Sequence, residues 1–208
     1  MRIIVLFSGL AMAASLGAQT EPPAPRRAFE GNGLLKLLEV APPGQQGPQT
    51  QRERFMSYVR RTVGPVPLLV EATTAAYDQG WDRPQEWGQE SGGYAKRFAN
   101  AIAYNGVRQT ITYGMSLWTH EDTRYFPSDR DGVWGRTVYA LRSTLTARHN
   151  GRVVFSISAM TGAVGAAAIS RAWVPDSWQH PKNVAASVGL TLAGMAGFNV
   201  AREFLLRR

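Results

Sequence analysis

The sequence predicts an all-α protein: a bundle of about five or six helices ending in a C-terminal helical hairpin. Three observations predict it. Apolar residues recur at helical spacing from residue 51 onward. Two long uncharged runs near the C-terminus carry small residues at every fourth position. Strand signals are weak and brief.

The chain opens as a secretory signal over residues 1–18. Arg2 is a positive n-region, Ile3 to Leu16 is an uncharged apolar run, and the small residues Ser15, Gly17 and Ala18 follow. Cleavage is expected after Gly17 or Ala18. The run is shorter than the roughly 20 apolar residues of a bilayer span, so an exported product, in the periplasm or cell envelope, is expected rather than a retained anchor. The chain has no cysteine. That excludes a disulfide framework, a thiolate metal site and a lipidated N-terminal cysteine, and leaves stability to packing.

Residues 19–50 read as a flexible linker punctuated by Pro22, Pro23, Pro25, Pro42, Pro43 and Pro48, with glutamines between. One apolar island interrupts it, Leu34, Leu35, Leu37, Leu38 and Val40, and is expected to pack on the folded body. Residues 51–208 form the helical domain. Phe55, Met56, Val59 and Val63 define a first helix that stops at Gly64-Pro65. A second runs over about 66–78 and stops at Gly80. After a loop rich in Trp and Gly (81–93), a long helix spans about Tyr94 to Trp118, with Arg108 in its middle. A polar loop, His120 to Gly132, leads into a helix over 133–148 carrying Trp134, Val138, Leu141 and Leu145, with Asp131 as its expected cap. Val153, Phe155 and Ile157 alternate briefly, but the Ala-rich continuation favours a helix over 153–172, and a last helix over 183–206.

These two final helices carry the most specific pattern. Val153 to Ser170 and Val184 to Ala201 contain no charge. Ser158, Gly162, Ala166 and Ser170 stripe the first; Ala185, Gly189, Ala193 and Gly197 stripe the second. Residues four apart share a helix face, so each stripe is a flat groove that admits close approach of another backbone. A helical glycine costs about 1 kcal/mol relative to Ala, which close contact offsets. Trp173 and Trp178 sit in the connecting loop, as in an aromatic belt, and Arg148, Arg152, Arg202, Arg207 and Arg208 flank the open ends. The expectation is association with a membrane through both helices, with self-association of the chain as a further use of the stripes.

The charge balance is 23 Lys+Arg against 15 Asp+Glu, almost all of the cations arginine. An acidic partner fits this excess, and in an exported protein lipid headgroups or another envelope protein come before nucleic acid, which is not expected as a partner. The densest collection of functional groups is the loop from His120 to Gly132. His120, Glu121 and Asp122 are the candidate catalytic residues. Arg124, Tyr125 and Arg130, with Trp173 and Trp178, are the candidate binding residues. His120-Glu121 lacks the second histidine of a zinc helix, and Asp129 to Gly132 fails as a calcium loop, because the twelfth position would be Val138. No metal or cofactor is expected. Nucleophile elbow, phosphate loop and dinucleotide fingerprint are absent from the sequence. Capping and ion pairing account for the loop more simply than catalysis does.

Glu86-Trp87-Gly88-Gln89, Gly92-Gly93-Tyr94-Ala95-Lys96-Arg97-Phe98, His120-Glu121-Asp122 and Arg124-Tyr125-Phe126-Pro127-Ser128 together resemble an uncharacterised family of exported bacterial proteins, over roughly residues 80–206. The resemblance implies an envelope location and marks these loops as the family's distinctive part; it brings no activity. The expected role is non-enzymatic, structural or partner-binding. The alternative is an enzyme acting on an envelope lipid or glycan, centred on residues 120–131.

Overall fold

A computed structural model describes residue 33, residues 37–41 and residues 49–205. The expected signal sequence and most of the expected linker lie outside the described residues. What is described is mainly helical, with one small two-stranded sheet.

Helix α1 spans Gln51–Val63 and α2 spans Pro65–Gly80. Thr50 and Glu53 close a capping box on α1: the Glu53 amide donates to the Thr50 hydroxyl at 3.3 Å, and the Thr50 amide donates to the Glu53 carboxylate at 2.8 Å. The chain breaks at Gly64, extended ahead of Pro65, and only glycine fits there, since a Cβ would stand 2.2 Å from the Arg60 carbonyl oxygen. Pro65 then occupies the first turn of α2, where its missing N–H costs nothing.

Helix α3, Ser91–Thr119, is the axis of the molecule. Tyr58 of α1 stacks on Tyr113 at 5.0 Å between ring centres, and Asn105 donates to the Arg61 carbonyl at 2.9 Å. Further along, the Tyr94 hydroxyl donates to the Ala72 carbonyl at 3.3 Å. The α1–α2 pair is therefore one broken rod running antiparallel to α3. Helix α4 spans Val133–Arg142, α5 spans Ile157–Ile169 and α6 spans Pro181–Leu205. Helix α5 is antiparallel to α3. Helix α6 is parallel to it, with Tyr104 and Thr191 sharing a 2.9 Å hydrogen bond.

Two expectations fail between α4 and α5. The helix expected over 133–148 stops at Arg142, and that expected from 153 starts at Ile157. Between them, strands β1 (Thr146–His149) and β2 (Arg152–Phe155) pair antiparallel, His149 opposite Arg152. Asn150 (φ 49°) and Gly151 (φ 78°) supply the two left-handed residues of a tight hairpin turn. Val153, Val154 and Phe155 suit a strand, so the short alternation was the true signal. The expected cap also fails: Gly132, at φ 79°, precedes α4, with no side-chain cap bond.

Part of the island docks: Leu34 and Leu35 lie outside the described residues, and Leu37 is exposed. Leu38 and Val40 are buried with Tyr125 and Ala140, backed by Tyr139, Phe198 and Val200. Val40 bridges Tyr125 in parallel, and the Ala41 amide donates to the Tyr125 carbonyl at 2.8 Å.

The two small-residue stripes part ways. Gly162 lies against α3 so closely that a Cβ would meet the Thr112 hydroxyl at 2.0 Å and the Arg108 carbonyl oxygen at 2.9 Å. Ser158, Ala166 and Ser170 are buried on the same face. The close contact expected of the first stripe is thus made with α3. Ala185, Gly189, Ala193 and Gly197 are all exposed, and nothing lies within 4 Å of a Cβ at Gly189 or Gly197. The packing expected of the second stripe is absent among the described residues, because α6 turns Phe198, Asn199 and Glu203 inward instead.

Candidate functional site

The loop after α3 is held from three sides. Helix ends leave their last carbonyls without partners, and a cation there is favourable. Arg54 fills that role, donating to the carbonyls of Ser116 at 3.0 Å and Glu121 at 2.7 Å. His120 takes the left-handed conformation, φ 57°, and closes α3. Glu121 then crosses to the start of α5. Its carboxylate accepts from the amides of Ile157 (3.0 Å) and Ser158 (3.1 Å) and from the hydroxyls of Ser156 (3.1 Å) and Ser158 (2.5 Å). A carboxylate on a helix N-terminus meets both free N–H groups and the positive end of the helix dipole. This joint ties the C-terminus of α3 to the N-terminus of α5.

Asp122 is buried and paired with Arg124 at 2.6 Å. Its backbone bridges Arg148 in both directions, at 2.7 and 3.1 Å. The guanidiniums of Arg124 and Arg148 lie 5.7 and 3.9 Å from the centre of the Phe126 ring. Tyr125, 3% exposed, donates its hydroxyl to Glu203 at 2.7 Å. Glu203 also accepts from the Ser128 amide at 3.1 Å and from Arg136 at 3.1 Å. Burial, and after it the Glu203 carboxylate, push the Tyr125 phenol well above its ordinary pKa.

A further hub sits at the other end of α3. Arg97, 1% exposed, donates to the carbonyls of Arg83 (2.8 Å), Pro84 (2.9 Å) and Gly88 (2.6 Å) and pairs with Asp82 at 3.2 Å. Its fork binds the loop 82–88 to the helix. Gly93 permits this, since a Cβ would stand 2.2 Å from the Gly88 carbonyl oxygen.

The candidate catalytic trio is therefore taken apart. Glu121 and Asp122 are buried and fully engaged in holding elements together, while His120 is exposed and faces elsewhere. It lines an open hollow of about 400 Å³ with His149, Asn150, Arg54, Gln49 and Gln51. The structure brings His120 and His149 into one place, which their separation in sequence hid. Among the described residues no carboxylate lines the hollow to orient either imidazole as a general base, and the Arg54 guanidinium is committed to backbone carbonyls. Among the described residues no group of three or more His, Asp or Glu converges to hold a metal.

Of the candidate binding residues, Tyr125 is enclosed and Arg124 is paired, so neither is offered to a ligand. Arg130 is exposed on the loop, its amide donating to the Ser128 hydroxyl at 3.0 Å. Trp173 donates to Asn100 at 2.9 Å from the far end of the bundle, and Trp178 is half-buried in a short turn before α6. Arg54, Arg97 and Glu203 are not among the candidate residues expected from sequence. Glu203 carried a signal: it is the sole acidic residue after Asp176, beside an otherwise uncharged helix.

No family profile, curated protein or solved structure matches the chain.

Proposed function

We propose that the chain is an exported envelope protein with a structural or partner-binding role rather than an enzymatic one, attached to a membrane through its C-terminal helices. One observation carries this reading: α6 is long and apolar enough to cross a membrane, yet nearly all of it stays outside the protein interior. A core helix of a soluble bundle hides such a surface; Leu190 here is 74% exposed and the small-residue stripe faces outward. Helix α5 adds Val164 and Ile169, both exposed on the side away from its α3 contact. Anionic headgroups suit the excess of arginine, and another envelope protein, or a second copy, suits the exposed stripe. Export, and kinship with the exported family whose loops the chain resembles, belong to this proposal.

Membranes from cells producing the full chain test it. After carbonate and high-salt washing the protein is expected in the membrane pellet; quantitative release contradicts attachment by insertion. Sequencing the mature N-terminus on the same sample is expected to show cleavage after Gly17 or Ala18.

The enzymatic alternative has one observation in its favour, the hollow shared by His120 and His149. His120→Ala is its test. Loss of a lipid- or glycan-directed activity with unchanged folding supports it, and an unchanged phenotype removes it.

A further inference from the structure

The waist of the bundle is polar inside and apolar outside. The side of α3 that faces its neighbours buries Arg97, Asn105, Gln109, Thr112 and Ser116. Helix α2 buries Glu71 and exposes Leu68, Leu69, Val70 and Tyr77. Helix α1 buries Arg54 and Ser57 and exposes Phe55, Met56 and Val63. Helix α5 buries only Ser158 and the small Gly162, Ala163, Ala166 and Ala167, and exposes Ile157, Val164 and Ile169. A soluble bundle has the reverse arrangement on every helix.

Most charges at mid-height turn inward, Arg60 staying partly exposed. Arg108, the charge that interrupts the apolar pattern of α3, donates to Asn105 at 2.8 Å. Arg60 and Arg61 reach Glu39 at 2.7 and 3.5 Å. Arg202 donates to Asn199 at 3.2 Å. Exposed hydroxyls close on their own helix: Thr73 on the Leu69 carbonyl, Thr74 on Val70 and Thr110 on Gly106, at 2.8, 2.9 and 2.8 Å. The outer surface of these helices thus offers water few partners, which is what a hydrocarbon solvent requires.

The aromatic residues set a height. Trp173 is bonded to Asn100, and Trp118 stands 76% exposed on the same helix α3. Eighteen residues of α-helix separate the two levels by about 27 Å, against a hydrocarbon thickness of about 30 Å. Beyond the Asn100 level lie Trp81, Trp87 and Trp178. Arg148 and Arg152 lie in the hairpin beside the C-terminal end of α3, where His149 and Asn150 line the same hollow as Leu117 and His120. Tryptophan at both edges is the distribution that membrane interfaces select.

From these observations we infer that lipid acyl chains surround the whole waist of the bundle, covering α2, α3 and α5 as well as α6, with the charged residues enclosed among the helices. This rests on the membrane reading above and extends it from one helix to the bundle. Inward charges paired as Arg60 and Arg61 are with Glu39 are compatible with lipid, whereas the buried Glu71 carboxylate has no hydrogen-bond partner among the described residues.

The absence of native cysteine permits a clean test on the full chain. Leu69→Cys on α2, Val164→Cys on α5 and Leu190→Cys on α6 are spin-labelled and reconstituted into phosphatidylcholine–phosphatidylglycerol vesicles, with Gln89→Cys as the aqueous control. Val70→Cys and Ala168→Cys replace any variant whose helical circular dichroism is lost. Lipid at all three sites gives oxygen collisions several-fold above those with a water-soluble nickel chelate, and the reverse at Gln89→Cys. Lipid exposure at Leu190→Cys alone, with nickel access at Leu69→Cys and Val164→Cys, overturns the inference and leaves the anchored helix standing. Low access to both reagents at Leu69→Cys and Val164→Cys also overturns it, showing a second copy on that face. Nickel access at all three sites removes the membrane reading as well.

Discussion

Helices α5 and α6 carry the same pattern, a small residue at every fourth position on an uncharged helix, and meet opposite fates. The α5 stripe is closed against α3, with Gly162 at backbone contact. The α6 stripe is open, with nothing near Gly189 or Gly197. The pattern specifies a surface that permits close approach; neighbours decide whether approach occurs. Helix α5 is delivered to α3 by Glu121, which locks its N-terminus to the end of α3. Helix α6 is held at its far end by Glu203, through Tyr125, Ser128 and Arg136. Those bonds fix which side of α6 faces inward, and the stripe falls on the other.

The largest effect is expected from breaking the joint that buries the first stripe. Glu121→Ala leaves the first amides of α5 and two serine hydroxyls without their acceptor, a loss of about 3 kcal/mol, read as a lowered midpoint of thermal or denaturant unfolding. Gly162→Ala comes next, at about 2 kcal/mol, because the Arg108 backbone cannot retreat from the added methyl. Gly189→Ala sharpens the comparison with the opposite sign. The same substitution in the open stripe is expected to raise stability by up to about 1 kcal/mol, through helix propensity alone. Shifts of opposite sign at the two glycines would mark the stripes as different in kind; losses at both would show that α6 is also packed.

Smaller effects probe the ends. The Tyr125 phenol has a folded pKa raised above its unfolded value near 10. The stability it contributes is complete below that value and is lost as pH rises toward the folded pKa. Melting temperature is therefore expected to fall above about pH 10 in the wild type. Tyr125→Phe is expected to flatten that slope while lowering stability at neutral pH through loss of the bond to Glu203. His120→Gly is expected to change stability least, with a slight gain, since glycine adopts the left-handed cap without strain.

Much of the bundle was legible because its punctuation is local. Gly64-Pro65, Gly80 and the uncharged runs mark helix ends by backbone chemistry that needs no tertiary context. The β-hairpin was missed because four-residue strands give little periodicity, and the Ala-rich segment that follows masked them. The candidate site was legible in composition and not in role. Capping and pairing were the right physics for Glu121 and Asp122, but their partners at Ser158 and Arg148 are set by the fold. Arg97 and Glu203 were missed because a single charge in an apolar helix looks like an interruption until its partners arrive from other elements. Helical periodicity was visible throughout, whereas the side each helix turns inward was not: buried polar residues such as Arg97 and Glu203 declare themselves only through partners on other elements.

The central claim, that the exposed apolar surface of α6 and its neighbours is a membrane surface, is tested most directly by detergent phase partition of the native chain. In Triton X-114 the protein is expected in the detergent-rich phase and to stay there at high salt. Recovery in the aqueous phase as a monodisperse, folded protein would contradict the account.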